Sequence, residues 1–195
     1  MFSSTLLSWD DAQAWCTRAH ELAEQVGWSE VSFAALYWLG RSLRDSGDHT
    51  AAVSEMTRAL DVCERAGLIA QSIEATSMRA ITLAMNGKGD AARDDAEEAG
   101  RLAERLHYPV GKAAALMAKG TTSEDPDEAL RMLGESRELW DGIGRPLDAA
   151  ITDLLLGHTL ANQRPDEARA ALDRAATEFE RLGVAHLSDW AKALV

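Results

Sequence analysis

The sequence predicts an all-α fold built as an array: four complete helical hairpins flanked by an extra helix at each end. Three observations carry this. An alanine is followed fifteen residues later by a helix-closing residue five times, as Ala12/Gly27, Ala52/Gly67, Ala92/His107, Ala129/Gly144 and Ala168/Gly183. Thirteen residues beyond each of the first four closers stands a second small residue, Gly40, Ala80, Gly120 and Gly157. Nowhere do valine, isoleucine and aromatics alternate with period two, so strands are not expected. Self-similarity of this kind marks stacked units that cannot each bury an apolar face alone, and it predicts a solenoid.

Each unit reads as a helix A followed by a helix B. The B helices carry an apolar stripe at offsets of four, seven, eleven and fourteen from the alanine, a spacing that keeps one face apolar over four turns. The stripes are Cys16, Ala19, Ala23, Val26; Met56, Ala59, Cys63, Ala66; Ala96, Ala99, Ala103, Leu106; Leu133, Ser136, Trp140, Ile143; and Leu172, Ala175, Phe179, Leu182. The predicted order is a B-type helix over 9–27, hairpins over 28–67, 68–107, 108–144 and 145–183, and a terminal A-like helix over 186–195.

Prolines test this frame, because proline is tolerated in a helix only in its first turn. Pro126 and Pro165 lie three residues before a B-helix alanine, and Pro109 and Pro146 lie two residues after a closer. Ser8 and Asp11 resemble a capping box for the first helix. Closing glycines suit the left-handed backbone that ends helices, and His107 is the exception. The third A helix is cut short, with Thr121, Thr122 and Ser123 at its end.

Of 195 residues, 32 are acidic and 20 basic, a net charge of -12 that repels both a nucleic-acid backbone and an anionic lipid surface. No secretory signal or bilayer-length apolar run is seen, so the expected compartment is the cytoplasm. Two cysteines are too few for a disulfide framework, and Cys16 and Cys63, at apolar stripe positions, read as buried thiols. Cys16 and His20 stand one turn apart but have no second ligand pair, so no metal is expected. His49, His107, His158 and His186 fall in no nucleophile, phosphate or metal motif, so neither catalysis nor a cofactor is expected. The acidic run Asp90, Asp94, Asp95, Glu97 and Glu98 reads as a solvated helix face. Trp9, Trp15, Trp28 and Trp38 crowd the first forty residues. They fill the first inter-unit core or form a docking or dimerisation patch, and the sequence leaves both open.

The second unit contains Leu36-x2-Leu39-Gly40-x2-Leu43, then Gly47-Asp48, Ala52, Met56 and Ala59. This resembles the tetratricopeptide repeat, and Leu156-Gly157-x2-Leu160 with Pro165-Asp166-Glu167-Ala168 and Ala175 repeats the pattern. The resemblance implies a right-handed α-α superhelix forming a single repeat domain over 1–195. The period departs from the family's, at 40, 40, 37 and 39 residues, and Arg79 and Lys119 stand where leucine is expected. Repeats ending in Glu-Arg-x-Gly, at 64–67 and 180–183, look like the helical arrays of large bacterial transcriptional regulators of the MalT type.

In the tetratricopeptide family the A helices line a concave groove. The resemblance therefore implies a partner-binding surface of Tyr37, Arg41, Arg44, Ile81, Met85, Met117, Ile151, Leu154 and His158. Such an apolar strip with arginines at one end suits an amphipathic helix or a peptide with an acidic end. The same residues read equally as inter-helix core. The lysine and asparagine of the chaperone-binding carboxylate clamp are replaced by Tyr37 and Arg41, and by Ser77 and Ile81. The expectation is a non-catalytic protein- or peptide-binding scaffold. A sensor module of a transcriptional regulator and a homodimerisation module are the alternatives.

Overall fold

A computed structural model describes residues 9–194, with Trp9 described in its backbone alone. Ten helices and no strand are found among the described residues. They are α1 (Trp9–Val26), α2 (Ser29–Asp45), α3 (His49–Ala66), α4 (Ile69–Met85), α5 (Gly89–Leu106), α6 (Pro109–Thr122), α7 (Pro126–Ile143), α8 (Pro146–Leu160), α9 (Pro165–Leu182) and α10 (Ala185–Ala193). Each helix packs against the next in the chain, and the even-numbered helices α2, α4, α6 and α8 also touch one another in turn. The arrangement is all-α and helical-repeat-like.

Local chemistry sets the helix ends. All four prolines open helices, where the missing N–H forfeits no bond. Asp48 caps α3 by accepting from the Ala51 amide at 3.0 Å, and Asp125 caps α7 by accepting from the Asp127 amide at 2.9 Å. Ser8, expected to cap α1, lies outside the described residues. Helices α3, α7 and α9 close on glycines at φ 69°, 78° and 74°, and α5 closes on His107 at φ 49°. Helix α6 is the shortest of the four even-numbered helices between α1 and α9, at 14 residues against 17 in α2 and α4, as its polar end predicts.

The hairpins interlock at one crossing. A Cβ on Gly40 would lie 2.8 Å from Met56 Cε, one on Gly120 would lie 2.6 Å from Leu133 Cγ, and one on Gly157 would meet Leu172 and the Ala168 carbonyl at 3.1 Å. Three hairpins thus set glycine against a long side chain. At the equivalent positions of the second hairpin, Ala80 and Ala96 are both small and buried. The B stripes at offsets zero, four, seven and eleven are at most 3 % exposed in α3, α5, α7 and α9. Ser136, the polar member, donates to the Ala113 carbonyl at 2.8 Å and so needs no water.

Two polar features are resolved together. Arg79 and Lys119, out of place as tetratricopeptide leucines, reach the acidic run of α5. Arg79 donates to Asp95 at 2.7 and 2.8 Å, and Lys119 to Glu97 at 2.9 Å. Asp95 is half-buried, so the run is not simply a solvated face. Cys63 is buried, but Cys16 is only half-covered, a correction to the expectation of two buried thiols. Burial raises the Cys63 thiol to about 11 and raises that of Cys16 as well.

Two stability measurements follow from these contacts. Gly157→Ala gains about 1 kcal/mol of helix propensity but drives a methyl into Leu172, so net destabilisation of about 1–2 kcal/mol is expected in urea unfolding, partly reversed by adding Leu172→Ala. His107→Gly relieves a left-handed backbone on a Cβ-bearing residue and should stabilise by about 1 kcal/mol in the same assay.

Candidate functional site

The inner face, formed by α2, α4, α6 and α8, carries the nine residues singled out from the sequence. Seven of them are buried: Tyr37, Arg41, Arg44, Ile81, Met117, Ile151 and Leu154. Their apolar members belong to one continuous core cluster. The inner face is filled by the chain's own side chains along most of its length, and substitution at Ile81 or Leu154 reads stability before binding.

Charge as well as packing closes it. Arg41 of α2 donates to Asp148 of α8 at 3.3 Å across 107 residues of sequence, with its guanidinium 4.7 Å from the Trp38 ring. Arg145 reaches Asp148 at 2.8 Å and Glu74 of α4 at 3.6 Å, and Glu74 accepts from the Tyr108 hydroxyl at 2.9 Å. Burial, and then the Glu74 carboxylate it bonds, push the Tyr108 phenol up to about 12; burial also raises Tyr37.

Three of the nine residues meet at an opening. Arg44, Met85 and His158 line a cleft of about 400 Å³ together with Asp45, Ser46, Gly47, His49, Trp190 and Leu194. The cleft brings the first hairpin, α2 and the turn after it, against α10 at the other end of the chain. Arg44 is buried beneath, bonded to Asp45 at 2.6 Å and touching the Met78 sulfur. His158 is exposed and Met85 half-buried, so both are available at the mouth. The opening offers two imidazoles and the apolar surfaces of a methionine and a tryptophan, with the Arg44–Asp45 ion pair beneath them.

Sequence reasoning missed His49 and Trp190. Trp190 was within reach: the register that puts Ala34 and Ile151 at the second position of their A helices puts Trp190 at the second position of α10. His49 follows the α3 cap and carries no periodic signal.

Elsewhere the polar clusters answer themselves. Asp153, buried between α7 and α9, is held by Arg137 at 2.9 Å and Arg174 at 2.6 Å beside a cavity of about 430 Å³. His20, considered with Cys16 as a ligand pair, instead ties the first three helices: it bonds Ser32 at 2.9 Å and Arg58 at 2.9 Å, while Ser32 donates to Glu24 at 2.7 Å. No cluster of three or more potential metal ligands occurs among the described residues. No helix among them is long and apolar enough to cross a membrane. No protein-family model matches the chain, and no curated protein matches its sequence.

The chain has two tyrosines, which makes the interior readable by absorbance. A raised phenol favours the folded state while it stays protonated: that contribution is complete below the unfolded value near 10 and is lost as pH rises toward 12. At pH 10 the native protein should show clearly less phenolate absorbance at 295 nm than the protein in urea, where about half of each phenol is ionised. Comparable ionisation in both states would show that the interior is wet.

Proposed function

We propose that the chain is a non-catalytic binding module of the tetratricopeptide type, a right-handed α-α superhelix that holds a protein or peptide partner. The partner is anchored at the open end of the inner face, in the cleft of Arg44, His49, Met85, His158 and Trp190. The observation that supports this is the convergence of Arg44, Met85 and His158 in one opening while the remaining inner-face residues are buried. The partner segment is acidic at the point of contact, with an apolar side chain beside it, because two imidazoles able to donate hydrogen bonds stand there beside Met85 and Trp190. The chain's net charge of -12 disfavours nucleic acid and anionic membranes as direct partners, and its unpaired cysteines fit a reducing cytoplasm.

A fluorescence-polarisation screen of acidic peptides with apolar neighbours tests the reading. Binding is expected to fall at least tenfold in His158→Glu and in Met85→Glu, with helicity retained by circular dichroism, because both side chains reach the surface. Unchanged affinity in both variants, or no binding by any peptide, would sink it. A second reading is that the cleft takes a small anionic molecule and works as a sensor. Its volume of about 400 Å³ falls in the range of small-ligand pockets and favours this second reading over a long groove-bound helix.

A further inference from the structure

Both ring nitrogens of His20 in α1 meet neighbours, and the neighbours dictate where its proton sits. Nδ1 lies 2.9 Å from Ser32 Oγ of α2, and Nε2 lies 2.9 Å from Arg58 Nη2 of α3. Ser32 is wholly buried and has one hydroxyl proton, which it donates to Glu24 at 2.7 Å. That bond holds the Glu24 carboxyl below its ordinary value, so the group is a carboxylate that accepts and cannot donate. Ser32 Oγ must therefore accept from Nδ1–H. A guanidinium carries donors alone, so Nε2 must be the bare nitrogen that accepts from Arg58. One species meets both requirements: the neutral imidazole with its proton on Nδ1.

The equivalent place between α7 and α9 is built differently. Arg58 stands six residues after Ala52, as Arg174 does after Ala168, and His20 stands eight residues after Ala12, as Arg137 does after Ala129. There Asp153, at the register position of Leu36, accepts from Arg137 at 2.9 Å and from Arg174 at 2.6 Å. A carboxylate joins two fixed cations at that site, whereas α1 and α3 are joined through a ring nitrogen that a proton can occupy.

We propose that His20 is a proton-operated latch between α1 and α3. Protonation fills Nε2, so one N–H then points at another and the Arg58 bond is lost, while Nδ1–H keeps Ser32 and, through it, Glu24. Arg58 has a second partner to fall back on, Glu55 of its own helix at 2.6 Å. The exchange removes the bond from α1 to α3 and leaves α1 held through Ser32 of α2. It takes place at a cavity of about 250 Å³ where the charges facing the ring are Glu24 of α1 and Arg58, Asp61 and Arg65 of α3. From α2 come the neutral Ser32 and Leu36. The two carboxylates favour an imidazolium and the two guanidiniums oppose it, so the directions of the hydrogen bonds decide which contact protonation breaks.

Two measurements on the full chain test the latch. Long-range proton–nitrogen NMR of the histidines at about pH 8, where an ordinary imidazole is neutral, is expected to show His20 with its proton on Nδ1. A proton on Nε2, or an even mixture of the two tautomers, overturns the proposal. Amide exchange read by mass spectrometry should show the protection of α1, taken against that of α9, falling about tenfold between about pH 8 and about pH 5, as loss of a hydrogen bond to a charged group implies. His20→Gln is expected to remove this step, because its amide donates to Ser32 and accepts from Arg58 at both pH values. Arg58→Met is expected to show the lower protection at both. No step in the native chain, or the same step in His20→Gln, overturns the latch. Neither variant touches the cleft of His49 and His158, so this inference and the proposed function fail separately.

Discussion

The fold depends on how closely two helices can approach at one crossing per hairpin. Glycine against methionine or leucine in three hairpins holds that distance where an ordinary side chain would not. Shortening the contact there shifts bulk elsewhere. The large residues of the even-numbered helices, Tyr37, Ile81, Met117, Ile151 and Leu154, flank the small residue instead of facing it, and they join one core cluster. The small residues fix the hairpin, and the displaced large ones make the inner face a core.

Burying charge in that core has a structural consequence. Arg41 and Asp148 are both almost wholly buried, and each alone would carry a desolvation penalty of several kcal/mol. They are tolerable only together, and they come together only if the first hairpin curls round to the fourth. An apolar contact between α2 and α8 could slide; a guanidinium bonded to a carboxylate and lying over Trp38 cannot slide without leaving a charge stranded. The chain Arg41, Asp148, Arg145, Glu74 and Tyr108 therefore ties α2, α4 and α8 to the start of α6 in one arrangement, a use of buried ion pairs that does not require them to add stability.

The helix boundaries were legible in the sequence because their signals are local: a proline, a closer and a small residue each act within one turn. The direction of the inner-face residues was legible too, since it needs only helical phase. Whether that face stays open is not a local property. It depends on curvature summed over four hairpins, and the residue that reports it, Asp148, reads alone as an ordinary acid in a first helical turn. Arg79, Lys119 and the α5 acids look like separate departures from a consensus until packing shows that they satisfy each other. Trp190 was missed because the register was stopped one helix early.

Filling the inside leaves the outer surface and the two ends for recognition, and these differ in chemistry. The outer helices carry ion pairs within single turns, such as Arg58–Glu55, Arg101–Glu98 and Arg181–Glu178, which hold little energy and offer little to a partner. At the far end α10 spends Leu187, Ser188 and Ala191 on sealing α9 and turns Asp189 and Lys192 outward. At the near end α1 turns Trp15 and Val26 outward, exposed at 68 % and 73 %, so the surface there is apolar where that of α10 is charged.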